Sequence, residues 1–188
     1  DQQIDTEIVP ALIAALEGER SNDVLTGAMI ALAKIGDRRR EDGASSFAHH
    51  IRPFLASGEQ EVAETAAIAL GVLGNPDQLG ILKDLLRGDD GLLPRVHGIA
   101  LHGAVPTRTR AFAAFALGLL APSCDEAQRA TIARELTTAF EGPHARRDVP
   151  VACITALGLT GLQRAAGVEP PAPGSPGATL EQQAAWLL

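Results

Sequence analysis

The chain has 188 residues and a formal net charge of −7; 46% of its residues are hydrophobic, with five Phe, one Trp and no Tyr. That balance argues against a general nucleic-acid binder, whose footprint is basic, and against a β-sandwich or barrel, which draws on aromatic and β-branched residues. Two cysteines without CxxC spacing argue against a disulfide scaffold and a cysteine metal or redox centre. No run of 18 apolar residues free of breakers predicts a membrane span. The chain begins at Asp1 without Met, so it is expected to be processed or excised from a longer one, and its compartment is left open.

Taken in chain order, apolar residues at three- and four-residue spacing predict a first helix over 6–18, with Ile8, Leu12 and Leu16 on one face, Thr6 as its cap and Gly18 at its end. A second helix follows in 21–37. DRRRED (37–42) reads as a solvated turn whose charges screen one another rather than as a phosphate grip. The next pair is 45–58, capped by Ser45 and ended by Gly58, and 61–75. His49 and His50 lie in its first helix about 100° apart, so they are not read as a catalytic pair. A third pair opens at Asn75 and Pro76, runs to Gly88, and resumes at 109–121. Between these lies the insert 88–106, with His97 and His102 five residues apart. A metal site needs three or four convergent ligands, so the insert is read as a covering flap or short extra helix packed by Leu92, Leu93, Ile99 and Leu101, with contact to a partner protein as the alternative. The fourth pair is 125–142, capped by Asp125 or Ser123 and ended by Gly142, and 148–161, with Cys153 as a small core residue. Residues 163–177 form a Pro/Gly-rich linker by composition. Residues 178–188 read as a terminal helix with an uncapped apolar end, where a further repeat or a dimer contact is expected.

The second helices of the four pairs are versions of one another. Aligned on Leu32, Leu70, Leu117 and Leu157, each has Ala just before the anchor: Ala31, Ala69, Ala116 and Ala156. Each has a tiny residue just after it: Ala33, Gly71, Gly118 and Gly158. Gly or Ala recurs four places downstream, and Ala or Cys four places upstream. The anchors are 38, 47 and 40 residues apart, a repeat period that predicts a solenoid. An interior Gly costs a helix roughly 1 kcal/mol relative to Ala. Its recurrence in one column therefore predicts that neighbouring helices approach closely there.

On these residues, notably SNDVLTGAMIALAKIGD (21–37), EVAETAAIALGVLGN (61–75), TRAFAAFALGLLA (109–121) and DVPVACITALGLTG (148–161), the chain resembles HEAT-repeat proteins. The resemblance is to the short HEAT-like repeats also found in phycobilin lyases, and it spans about 6–162. It implies an all-α, right-handed α-α superhelix of about four helix pairs and a partial fifth. The expected repeats are about 6–37, 45–75, 76–122 with the insert, and 125–162, in a single domain. The family often places Arg or Lys after the Val that opens the second helix. Here Leu25, Ala63 and Pro150 stand in those places, and only Arg110 conforms.

The resemblance also implies that the second helices line a concave groove. Helical geometry puts the residues two before and two after each anchor on one face. The expected partner-binding residues are therefore Ile30 and Lys34, Ile68 and Val72, Phe115 and Leu119, and Thr155 and Leu159, with Glu61 and Arg108 further along the same face. Asp23, Glu61, Arg108 and Asp148 lie toward the helix starts, with Arg108 and Arg110 the only clustered bases. An apolar floor with a mostly acidic edge suits an amphipathic helix or extended peptide with basic flanks. The expected function is that of a non-catalytic protein-interaction scaffold or assembly subunit, with no nucleic acid, cofactor or metal. The alternative is a lyase or chaperone-like subunit acting on a cofactor-bearing protein. No His-Glu dipeptide, GxSxG, P-loop or HExxH pattern supports an enzyme.

Overall fold

The structure, a computed structural model, describes residues 2–37, 46–89, 91–100, 103–142 and 147–161. These residues are all-helical, and no strand occurs among them. The expected linker at 163–177, the terminal helix at 178–188, the Ser45 cap, the arginines of the 37–42 run, Leu101 and His102 lie outside the described residues.

A π-helical turn at Ile4–Ile8 leads into α1 (Val9–Gly18). Pro10 has no N–H to give to Thr6, and the turn before it is wound as π-helix. Thr6 is consequently inside the helix. Its hydroxyl donates back to the Gln2 carbonyl at 2.9 Å and caps nothing, contrary to expectation. α2 is Asn22–Ile35. α3 (Ser46–Ile51) passes into a 3-10 stretch, Arg52–Ala56, because Pro53 removes a helical donor. α4 is Gln60–Leu73. Asn75 then caps a 3-10 turn at Pro76–Gln78, accepting from the Asp77 N–H at 3.0 Å, and α5 (Leu79–Arg87) follows. α6 (Leu92–His97) lies in the insert, and α7 is Thr107–Leu120. Asp125 and Gln128 form a reciprocal capping box that opens α8 (Glu126–Glu141). α9 is Asp148–Leu159.

The helix ends correct one expectation. Of Gly18, Gly58, Gly88 and Gly142, only Gly88 has a positive φ, at 74°. Among the described residues, positive φ also occurs at Gly36, Gly74 and Gly161, by the ends of α2, α4 and α9, and at Gly98 and Gly103 in the insert. At Gly74, the left-handed residue that ends α4, the chain turns into the 3-10 stretch at Pro76–Gln78, and Gly adopts that conformation without a Cβ penalty.

The helices form two layers. α2, α4, α7 and α9 pack on one another in that order, while α1, α3 with its 3-10 extension, α5 and α8 lie on the helix that follows each of them. The anchors Leu32, Leu70 and Leu117 have no exposed surface. Each such burial stabilises the fold by about 1.5–3 kcal/mol. The glycine column does what its recurrence predicts at two positions. A Cβ at Gly71 would lie 2.7 Å from the Ala116 Cα, and one at Gly118 would lie 2.8 Å from the Ala156 Cα. The helices touch backbone to backbone at both crossings. Gly158 differs from the expected role, because a Cβ there would meet nothing within 4 Å.

Polar side chains fasten successive units. Asn75 Nδ2 donates to Asp37 Oδ2 at 2.7 Å, and Arg52 Nε donates to Gln78 Oε1 at 2.8 Å.

Candidate functional site

The residues two before and two after each anchor fall on the less covered side of the α2–α4–α7–α9 layer. Ile30, Ile68 and Phe115 are half-buried, and Thr155 is exposed. In the second column Val72 is half-buried, while Lys34, Leu119 and Leu159 are exposed. Ile30, Val72 and Phe115 share part of their surface with the core, whereas Ile68 lies outside the core cluster. Toward the helix starts Asp23, Glu61 and Asp148 are exposed acids. α2, α4 and α9 thus carry a carboxylate at their N-terminal ends, where the helix dipole favours negative charge, whereas α7 has Arg108 there.

The two expected bases behave differently. Arg108 is exposed, with its Nε 3.2 Å from Glu64 Oε1 and its guanidinium 5.7 Å from the Phe112 ring centre. Glu64, nearly fully buried in α4, also accepts from Gln60 Nε2 at 2.6 Å. The pair ties α4 to α7. Its worth lies less in the exposed guanidinium than in keeping a buried carboxylate partnered. Arg110 leaves the expected groove altogether. Its side chain lies across Gly88, and its Nε donates to the Leu86 carbonyl at 2.8 Å, satisfying an unpaired carbonyl at the C-terminus of α5.

No protein-family model matches this chain. Nor does any curated protein.

The insert is held by a charged chain that sequence reading missed. His97 of α6 lies with Nε2 2.9 Å from Asp84 Oδ2 of α5. A carboxylate only accepts, so the ring N–H donates. Arg87 Nη1 stands 3.7 Å from the other Asp84 oxygen, and Arg87 Nε donates to Glu135 Oε2 of α8 at 2.9 Å. The Glu135 hydrogen bond holds the Arg87 guanidinium above its ordinary pKa range. Leu93 and Ile99 are buried beneath the same segment, as expected for a packed flap. The signal available in the sequence was a lone acid, Asp84, on the apolar face of 79–87, but His97 lies 13 residues from it, and Glu135, the far partner of Arg87, lies 48 residues from Arg87.

Two cavities lie apart from the helix-middle face. One of about 240 Å³ is bounded by Leu55, Gln60, Ala63, Val105 and Thr109, where the insert returns beside the start of α4. The other, of about 460 Å³, opens among Arg87, Arg110, Arg134 and Glu135. Two of its three guanidiniums are already engaged, by Glu135 and by the Leu86 carbonyl. Among the described residues no three His, Cys, Asp or Glu are grouped so as to hold a metal ion. No helix among them is long and apolar enough to cross a membrane.

Both cysteines are buried free thiols. Burial pushes the Cys153 thiol up to about 12, and burial first, then the neighbouring Asp125, raises that of Cys124. The reactive species is the thiolate. At pH 8 both thiols should therefore resist an aromatic disulfide reagent in the folded protein and react completely in denaturant. Rapid colour release from the native protein would contradict this assignment.

Proposed function

We propose that this chain is a HEAT-like solenoid that works as a non-catalytic scaffold, binding a helical or extended peptide along the exposed side of its second helices. The observation that carries the reading is the repetition of one half-buried apolar column, Ile30, Ile68 and Phe115, on successive helices packed in order. A neighbouring column continues it through Val72, Leu119 and Leu159. Repeated partly exposed apolar side chains on packed helices make a continuous stripe, and such stripes mark interaction sites. Asp23, Glu61 and Asp148 at its edge favour a partner with basic flanks, chiefly through association rate and orientation.

The same layer supports a concave face. The crossings at Gly71–Ala116 and Gly118–Ala156 bring second helices closer than side-chain packing permits. The outer helices carry larger buried side chains, such as Phe47, Ile81 and Leu85. A layer of narrow spacing joined to one of wider spacing bends toward the narrow side.

The test is a selection of helical peptides from a random library against the wild-type protein. Binders are then titrated against Ile68→Asp and Leu119→Asp. Both positions are at the surface or only half-buried, so both variants should keep the wild-type circular dichroism spectrum. Peptide affinity should fall at least tenfold, the loss of about 1.4 kcal/mol. Undiminished binding to both folded variants would sink the proposal.

A further inference from the structure

The two ends of the helix layer carry open copies of the interface that joins its interior. In α2, α4 and α7 the residue three before the anchor is Met29, Ala67 or Ala114, each 0% exposed; in α9 it is Ile154, 58% exposed. Six before the anchor, Glu64 and Ala111 are buried in α4 and α7, whereas Val151 of α9 is also 58% exposed. These columns face the next helix in the order, and α9 has no next helix among the described residues. Gly158 completes the pattern. Its equivalents Gly71 and Gly118 lie directly against the alanine before the following anchor, while Gly158 faces open space.

The opposite side shows the reciprocal break. Eight residues before the anchor stand Val62, Thr109 and Val149, at most 3% exposed, and in α2 Val24, 41% exposed. The alanine before the anchor has no exposed surface in α4, α7 and α9, but Ala31 of α2 is only half-buried. The column that receives a preceding helix is therefore open on α2.

We propose that the protein associates head to tail, with Val151, Ile154 and Gly158 of one copy receiving Val24 and Ala31 of a second. The register would be that of Gly71–Ala116 and Gly118–Ala156 within one chain. Both halves of an interface already built twice are present on the same molecule, and no helix among the described residues covers either. Val24, Ala31, Val151, Ile154 and Gly158 carry no charge, and Asp23, which takes the place of Arg108 in that register, is an exposed acid at the rim of the contact. A contact between two different faces is heterologous, so it propagates into open chains or rings instead of closing as a two-fold dimer.

The experiment is sedimentation equilibrium of the full chain over a wide concentration range. The weight-average mass should rise with concentration past that of a dimer. Gly158→Leu should be monomeric throughout, with a thermal midpoint no lower than wild type, because the monomer has room for the side chain and the stacked state does not. Val24→Asp and Ile154→Asp should each be monomeric, with native circular dichroism. An equimolar mixture of these two should form a dimer that grows no further, since one competent pair of faces remains. A wild-type protein that stays monomeric overturns the proposal. So does a dimer that Val24→Asp still forms alone, or a mixture of the two variants that fails to associate.

Discussion

Replacing Gly71 with Ala should destabilise the protein by about 2–3 kcal/mol, although the same change improves helix propensity by about 1 kcal/mol. The two effects oppose each other, and geometry decides the sign. The new methyl carbon would lie 2.5 Å from the Ala116 carbonyl oxygen and 2.9 Å from its carbonyl carbon. Those are backbone atoms in the middle of α7, so relief requires α4 and α7 to separate along a shared, fully buried seam. Gly158→Ala is the internal control. The same chemical change occurs in the same column of the repeat, but nothing lies within 4 Å of the new group. It should stabilise by about 0.5–1 kcal/mol. Urea denaturation of both variants checks the pair. If Gly71→Ala proves neutral or stabilising, the backbone contact between α4 and α7 is not as described.

Asp84→Ala should cost about 3 kcal/mol, near the lower end for breaking a buried charge pair. Asp84 is buried, and it meets His97 on one side and Arg87 on the other. Without it His97, whose side chain is only 12% exposed, has a polar nitrogen facing the hole left by the carboxylate. Arg87 keeps Glu135, so the α5–α8 contact should survive. The loss should therefore be felt first by α6, which is joined to α5 through this histidine and through Leu93. Limited proteolysis gives the specific readout. Cleavage within 88–106 should accelerate in the variant at a denaturant concentration where the remainder is intact. Equal protection of the insert in both proteins would show that apolar packing alone holds it.

The all-helical fold and two of its close helix crossings were legible because small residues recur in columns and because such crossings tolerate little else. Gly71 and Gly118 announce the close approach directly. The face at Ile68 and Leu119 followed from helical geometry once the anchors were aligned. Other features were out of reach for physical reasons. Glu64 and Asp84 read as ordinary helix acids until their long-range partners, Arg108 and His97, are brought beside them by packing. Thr6 looked like a cap, but the helix already runs through it. Arg110 looked like a groove base, although its long side chain reaches back to α5. The exposure of Val151 and Ile154 was the subtlest omission. The Ile154 column is buried in every preceding helix and the Val151 column in α4 and α7, so only the end of the layer distinguishes them.

The break at Pro53 has a consequence for how evenly the molecule resists opening. Beside α4 the outer layer consists of a six-residue α-helix and five residues of 3-10 helix, whereas α8 beside α9 has sixteen residues. Short helices have few internal hydrogen bonds to lose, and in a repeat array each unit leans chiefly on its immediate neighbours. Fluctuations that lift one outer segment while the rest stays native should accordingly favour Phe47, Ile51 and Leu55. Amide protection would then dip in the second unit and recover on either side, giving the array a fault line near its N-terminal third and not a single uniform stability.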